Sequence, residues 1–267
     1  VFRHTGRNAP HFPARGPPAA YARAVLRITD ARTGEPVEAA PARRGLTRVE
    51  AHASGFDACG LRVLLVADLL VRALELGGTP VWALLTGDRE QAELRAGAAA
   101  LGIRPFEDSR GLGAALGEAQ VVHVAREEDA GAAGGVRIAV APVDTALPVT
   151  PAVDPDAAAW RLTLLGHPRT RRVRLDTDAL DESRRTLARW RGAVAGWARQ
   201  PSRPMPDDVR ARLRGAWEDD LDVPAALRVL GQVETRPDLA DGARFETYAY
   251  ADRLLGLDLT RDVGRTA

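Results

Sequence analysis

Between Leu46 and Asp88 the chain reads LTRVEAHASGFDACGLRVLLVADLLVRALELGGTPVWALLTGD, and His52, Ser54, Asp57 and Cys59 crowd into one short stretch of it. An imidazole, a hydroxyl, a carboxylate and a thiol so close together can hold a polar ligand, move a proton or attack an electrophile. Gly60 and Arg62 follow directly. If a helix begins here, its free N–H groups and the Arg62 guanidinium offer donors to a phosphate. GFDACGLR is not a G-x-G-x-x-G fingerprint, and a tight strand-to-helix turn that needs glycine is the simpler reading of the same residues. Cys59 at a helix start would have its thiolate stabilised, with His52 within reach. No third group is evident to orient such a pair, and an inert turn cysteine is the simpler reading.

The elements around this cluster follow from patterning. TRVEAHAS (Thr47–Ser54) alternates as a strand does, and Leu61, Leu64, Leu65, Asp68, Leu69, Arg72 and Leu76 recur at helical spacing with a wide apolar stripe. Gly77 and Gly78 end that helix, and VWALLT is a continuous apolar run expected as a strand buried on both faces. Strand, crossover helix and parallel strand are the unit of a doubly wound sheet, whose ligands bind beyond the carboxyl end of the first strand. The cluster from His52 to Arg62 sits at that place.

Before this unit, residues 1–20 read as an irregular arm rich in Pro, Gly and Arg, and ARAVLRI (22–28) as a short strand followed by a turn and a second extended piece. After it, DREQAELRAGAAALGI reads as a helix with Asp88 as N-cap and Gly97 as an interior weakness. GLGAALGEA reads as a short helix. AQVVHVA and VRIAVAPV, separated by REEDAGAAGG, read as a hairpin. A Pro-rich connector leads into segments with helical periodicity up to LLGLDL. The expected organisation is an arm (1–20), an α/β domain with a parallel sheet (21–141), a connector (142–157) and an all-α helical bundle (158–267).

Composition sets limits. The chain has 267 residues, 45% hydrophobic, a net charge of +1 and a single cysteine. A disulfide framework within the chain is excluded, and the lone thiol suits a cytoplasmic setting. No apolar run reaches the ~18–20 residues of a membrane span, and VFRHTGRNAPHFPARGPP has no apolar core of a signal peptide. The first residue is Val1, which an alternative start codon and a missing leader explain equally. All 37 basic residues are arginine, so no Schiff-base or P-loop lysine can operate here. A GC-rich genome accounts for that bias.

The order and wording of the segments resemble class I cysteinyl-tRNA synthetases and the related cysteine ligases of the mycothiol pathway. VLRITDARTGEPVEAAPARRGLTRVEAHASGFD is similar to the family's opening, which leads into a Cys-Gly-Pro-Thr-x-Tyr-Asp segment. LRVLLVADLLVRALELGGTPVWALLTGD is similar to its first crossover helix and strand, LGIRP to a phrase between later helices, and WRLTLLGHPRTRRVRLDTDALDESRRTLARW to the entry of its helical domain. AWEDDLDVPAALRVL resembles its Asp-Asp-Leu-Asn-Thr-Pro-x-Ala-Leu phrase, and RLLGLDL its close. The resemblance implies a Rossmann-like, class I synthetase-type half-domain, and ATP or an adenylate as ligand at His52, Ser54, Asp57, Cys59, Gly60 and Arg62.

The departures matter as much. Phe56, Asp57, Ala58, Cys59 and Gly60 stand where the family has its HIGH motif, without either histidine, and Ala51 stands at the zinc-binding cysteine. The lysine-bearing KMSKS loop has no counterpart. A closed zinc site needs about four ligands, often in close pairs. This chain has one cysteine and histidines far apart in sequence at 4, 11, 52, 123 and 167, so no zinc is expected, although Cys59, His52 and Asp57 together offer three ligands.

The expectation is therefore a cysteinyl-tRNA synthetase-like protein that does not charge tRNA alone and serves in binding, scaffolding or regulation. One alternative is an ATP-dependent ligase, or other nucleotide-using enzyme of specialised metabolism, with a remodelled pocket. Another is a tRNA- or RNA-binding module using RTRRVR (169–174) and RRTLARWR (184–191), with Trp190 for stacking. Pairing of those arginines with Asp176, Asp178, Asp181 and Glu182 is the plainer reading. Open sheet edges make a protein partner or a homodimer plausible.

Overall fold

The computed structural model describes residues 25–41, 45–109, 118–129 and 134–265. A small antiparallel pair, β1 (Arg27–Thr29) and β2 (Pro36–Glu38), precedes the main unit. The N-terminal arm and residues 22–24 of the expected first strand lie outside the described residues. β3 (Leu46–His52), α1 (Ala58–Leu76) and β4 (Val81–Thr86) then form the expected strand, crossover helix and parallel strand.

α2 (Gln91–Ala100), β5 (Glu107–Asp108), β6 (Glu118–Arg126) and β7 (Val136–Val140) complete a five-stranded parallel sheet of order β5-β4-β3-β6-β7. β8 (Val143–Asp144) pairs in parallel with β9 (Val173–Arg174). A 3-10 turn at Pro151–Val153 and helix α3 (Ala158–Leu165) lie between them. Helices α4 (Thr177–Trp197), α5 (Asp207–Glu218), α6 (Val223–Thr235) and α7 (Asp241–Leu255) follow. The fold is α/β with a Rossmann-like sheet. Among the described residues no helix is long and apolar enough to cross a membrane.

β3 shows why the sheet has two unlike faces. Thr47, Val49 and Ala51 are fully buried, and Val49 and Ala51 belong to the core that α1 builds. The alternate residues Arg48, Glu50 and His52 are half-buried and face the other way, as strand geometry requires. α1 is buried along nearly its whole length, including Asp68 and Arg62. One continuous hydrophobic cluster joins the α1 side of the sheet to α3–α7, through residues such as Leu69, Leu164, Leu187 and Leu254.

Three expectations need correction. AQVVHVA and VRIAVAPV are not a hairpin: β6 and β7 run parallel, with Val122 opposite Val136 and His123 opposite Arg137. A Gly-rich acidic loop signals a reversal but not its direction. Residues 127–135, at up to about 3.3–3.6 Å each, are long enough to return along a strand of this length. Next, Glu90 rather than Asp88 is the N-cap of α2; it lies at φ 47 and makes no side-chain cap. Its carboxylate instead accepts from Phe56 N at 3.0 Å, tying α2 to the turn after β3.

β4 is fully buried only at Leu84 and Leu85. Those two pair with β5, and among the described residues no strand lies on that side of the earlier ones. Finally, the expected helix GLGAALGEA falls mostly outside the described residues, and its Glu118 and Ala119 begin β6. Gly97 has a positive reason to be glycine. A Cβ there would lie 2.9 Å from Phe56 Cε2 and 3.2 Å from Leu61 Cδ2, so its absence lets α2 close onto α1.

Candidate functional site

The polar face of the sheet gathers its ionisable groups through register. Glu50 and His52 are two residues apart on β3 and share a face. His123 on β6 stands directly opposite Glu50, and Arg137 on β7 opposite His123. His52 Nε2 lies 3.0 Å from His123 Nδ1, with ring centroids 5.1 Å apart. Glu50 Oε2 is 3.8 Å from His123 Nδ1. The other carboxylate oxygen, Oε1, accepts from the Thr86 hydroxyl at 2.5 Å, and that hydroxyl lies 2.8 Å from Ser109 Oγ.

Burial is the main cause that holds both imidazoles below the ordinary histidine range, and the neighbouring His52 depresses His123 further. Near neutral pH both rings are therefore uncharged, and in their 3.0 Å contact an N–H of one is donated to the bare nitrogen of the other. Arg137 is buried at 5% exposure, and neither of its terminal nitrogens has a hydrogen-bond partner. One ligand atom from each of Glu50, His52 and His123 can be chosen so that all three lie within 4.8 Å of one another, a donor set able to hold a metal ion.

The turn between β3 and α1 is closed by its own side chains. Asp57 is the N-cap of α1 and accepts from Gly60 N at 2.6 Å. Arg126 donates to the same oxygen, also at 2.6 Å. A Cβ on Gly60 would stand 2.7 Å from Gly55 O, so the turn is as tight as its glycines suggest. Cys59 Sγ accepts from Val143 N at 3.3 Å and lies 3.7 Å from Val143 O, which fastens β8 to α1. Ser54 is exposed.

Arg62 points inward. Its guanidinium donates to the carbonyls of Ala141, Pro142, Pro168 and Arg171, and burial lowers its pKa to about 10. Of the six residues chosen from sequence, Ser54, Asp57, Cys59 and Gly60 thus stay at the turn, Arg62 enters the interior, and His52 joins a different group on the sheet.

No family model matches the chain. Three curated proteins do, all described as L-cysteine:1D-myo-inositol 2-amino-2-deoxy-alpha-D-glucopyranoside ligase. The protein of Acidothermus cellulolyticus is 35% identical over 104 residues, covering 39% of this chain and 25% of the relative. That of Mycolicibacterium smegmatis is 46% identical over 76 residues, 28% of this chain and 17% of the relative. That of Catenulispora acidiphila is 42% identical over 88 residues, 33% and 19%. This chain is a partial relative of those cysteine ligases. The matched stretches span a quarter or less of the relatives' length.

Two features tied to the synthetase and ligase likeness can be tested against the residues in place. Ala51, at the position of the family's cysteine ligand, is a fully buried core residue with no ligand atom, so that ligand set does not fit. The α1 N-terminus, where the resemblance places nucleotide phosphates, already carries the Asp57 carboxylate.

His123 is the site residue that sequence reading missed. A hairpin of β6 and β7 gave no reason to set His123 beside His52. Two parallel neighbours each bearing a histidine near the carboxyl end would have supplied the signal. Many arginines of the expected RNA-binding face are paired: Arg184 with Asp154 and Asp181, Arg185 with Glu182, Arg189 with Glu234 and Arg174 with Asp176. Arg191 is buried, bonded to Asp156 and to two carbonyls.

Proposed function

We propose that this chain is a binding or regulatory protein of cysteine-ligase descent that does not by itself form an adenylate at the β3–α1 turn. The observation that carries the reading is the Asp57 carboxylate. It holds Gly60 N and Arg126 where an incoming phosphate would need those donors. A phosphate about 4 Å from Asp57 would be opposed by about 1 kcal/mol in water and about 4 kcal/mol at an effective dielectric near 20. Arg62, the nearest expected phosphate partner, is committed to carbonyls. The chain then acts through a small ligand, a protein partner or a second copy of itself, and its lone half-buried thiol suits a reducing cytoplasm.

Thermal unfolding with millimolar ATP, AMP or a non-hydrolysable cysteinyl-adenylate analogue tests this. The expected result is no change in melting temperature with any of the three. A ligand at a hundred times its Kd would add about 2.7 kcal/mol of stability. A clear rise with ATP or the analogue would overturn the reading. It would favour the second one, an ATP-dependent ligase with a remodelled pocket, which the relatives' description as ligases supports.

A further inference from the structure

We propose that Glu50, His52 and His123 form a centre for a divalent transition metal of the zinc class, and that Arg137 receives an anion bound to that metal. The inference does not depend on the fate of ATP at the α1 turn. It does not use the position that the resemblance assigns to a zinc-binding cysteine, since Ala51 has no ligand atom.

Distances come first. Zinc bonded at about 2.0–2.1 Å to tetrahedral ligands sets those ligand atoms roughly 3.3 Å apart. His52 Nε2 and His123 Nδ1 are 3.0 Å apart, His123 Nδ1 and Glu50 Oε2 are 3.8 Å apart, and one donor atom from each of the three residues fits within 4.8 Å. Side-chain rotation that draws the wider separations, none above 4.8 Å, toward about 3.3 Å would seat an ion between them. Two imidazoles and a carboxylate are a donor set that zinc and its neighbours accept.

Rigidity comes next. The ligands stand on β3 and β6, adjacent parallel strands in the middle of the sheet, with Glu50 and His123 in register. The hydroxyl of Thr86, on β4, holds the second oxygen of Glu50, the outer-sphere support expected around a ligating carboxylate.

The independent observation is Arg137. Its terminal nitrogens are buried and have no partner, yet it stands opposite His123 on the same face. A buried guanidinium whose terminal nitrogens make no hydrogen bond is costly and calls for an acceptor, which an anion supplies. Three protein ligands leave a tetrahedral ion one open position. An anion there, a carboxylate or a halide, would answer both needs. In the absence of a metal, the 3.0 Å contact is a plain hydrogen bond between two histidines, and the experiment separates these cases.

The full chain, stripped with a chelator and dialysed, is titrated with cobalt(II) chloride and followed by visible absorption, then back-titrated with zinc. The expected result is one equivalent of cobalt with intense tetrahedral bands, displaced by zinc, and a higher melting temperature in cobalt. His52→Asn and His123→Asn should abolish the bands, and Thr86→Val should weaken binding about ten- to a hundred-fold. Arg137→Met should keep the bands and lose the spectral change that acetate produces in the unaltered protein. Absence of cobalt bands and of a cobalt-dependent melting shift in the unaltered chain would overturn the proposal. So would equal cobalt binding by the folded histidine variants. Should those variants not fold, the unaltered chain alone decides, by its bands, stoichiometry and melting shift.

Discussion

Asp68 on α1 and Arg161 on α3 pair at 2.9 Å, and neither side chain is exposed to solvent. Asp68 Oδ2 also accepts from Arg72 at 2.8 Å, and Oδ1 from Arg104 at 3.1 Å. Arg161 reaches onward to the carbonyls of Leu101 and Leu255, so one buried group connects α1, the end of α2, α3 and α7. Removing one partner strands a charge in the interior. Arg161→Met should destabilise the chain by about 3–5 kcal/mol, and adding Asp68→Leu should recover only part of that, because Arg72 and Arg104 then lose their acceptor. Urea denaturation of the two variants checks both.

The same aspartate sets an acid limit. Burial alone would raise the Asp68 carboxyl, but Arg161 and then Arg72 outweigh it and hold the group below the usual carboxylate value of 3.8. A depressed folded pKa means that its stabilisation is present above about pH 4 and is lost as pH falls through the folded value. Melting temperature should therefore fall as pH drops below 4. In Asp68→Asn, less stable throughout, that part of the acid slope should be reduced.

Gly97→Ala sets two effects against each other. Helix propensity favours alanine by about 1 kcal/mol. The new methyl would press on Phe56 at 2.9 Å and Leu61 at 3.2 Å, and overpacking costs about 1–3 kcal/mol. The net expectation is a loss of about 1 kcal/mol, turned toward a gain when Phe56→Leu makes room. Chemical denaturation of the single and double variants gives the sign.

Asp57→Ala removes the cap of α1 and should cost about 1 kcal/mol in urea unfolding. It also removes the acceptor of Arg126, which leaves that cation beside open helix N–H groups. Phosphate should then raise the melting temperature of the variant and leave that of the parent chain unchanged.

Cys59 is held between the N–H and carbonyl of Val143 and is half-buried. Its reaction with a neutral disulfide reagent should be slow in the native chain and fast in denaturant, with one thiol released in total. A native rate equal to the unfolded one would contradict the contact.

How much of this was readable in advance varies with the physics involved. α1 and the helices after Ala157 were legible because their apolar residues recur at 3.6-residue spacing, and Gly77 and Gly78 marked the end of α1. β3 was legible by alternation. The direction of β7 was not, because GAAGG speaks of a turn and parallel pairing is decided by the whole sheet. The partnership of His52 with His123 was hidden for a separate reason, since the two are 71 positions apart and meet only through the register of β3 with β6. The inward course of Arg62 was equally hidden. Its acceptors are backbone carbonyls, and a carbonyl leaves no mark in a sequence.

Arg62 and Arg161 each thread a planar, many-armed cation between carbonyls of separate segments, and Arg191 bridges the neighbouring carbonyls of Leu257 and Asp258 to the Asp156 carboxylate. A lysine ammonium cannot span such sets, because its three donors radiate from one atom. The arginine-only alphabet therefore matters inside the molecule in a way that it does not at the surface. Mutational drift could return lysine at Arg185, out in solvent, and leave the molecule intact. At the three inner positions a lysine would leave those acceptors unmet, so there the fold itself requires arginine.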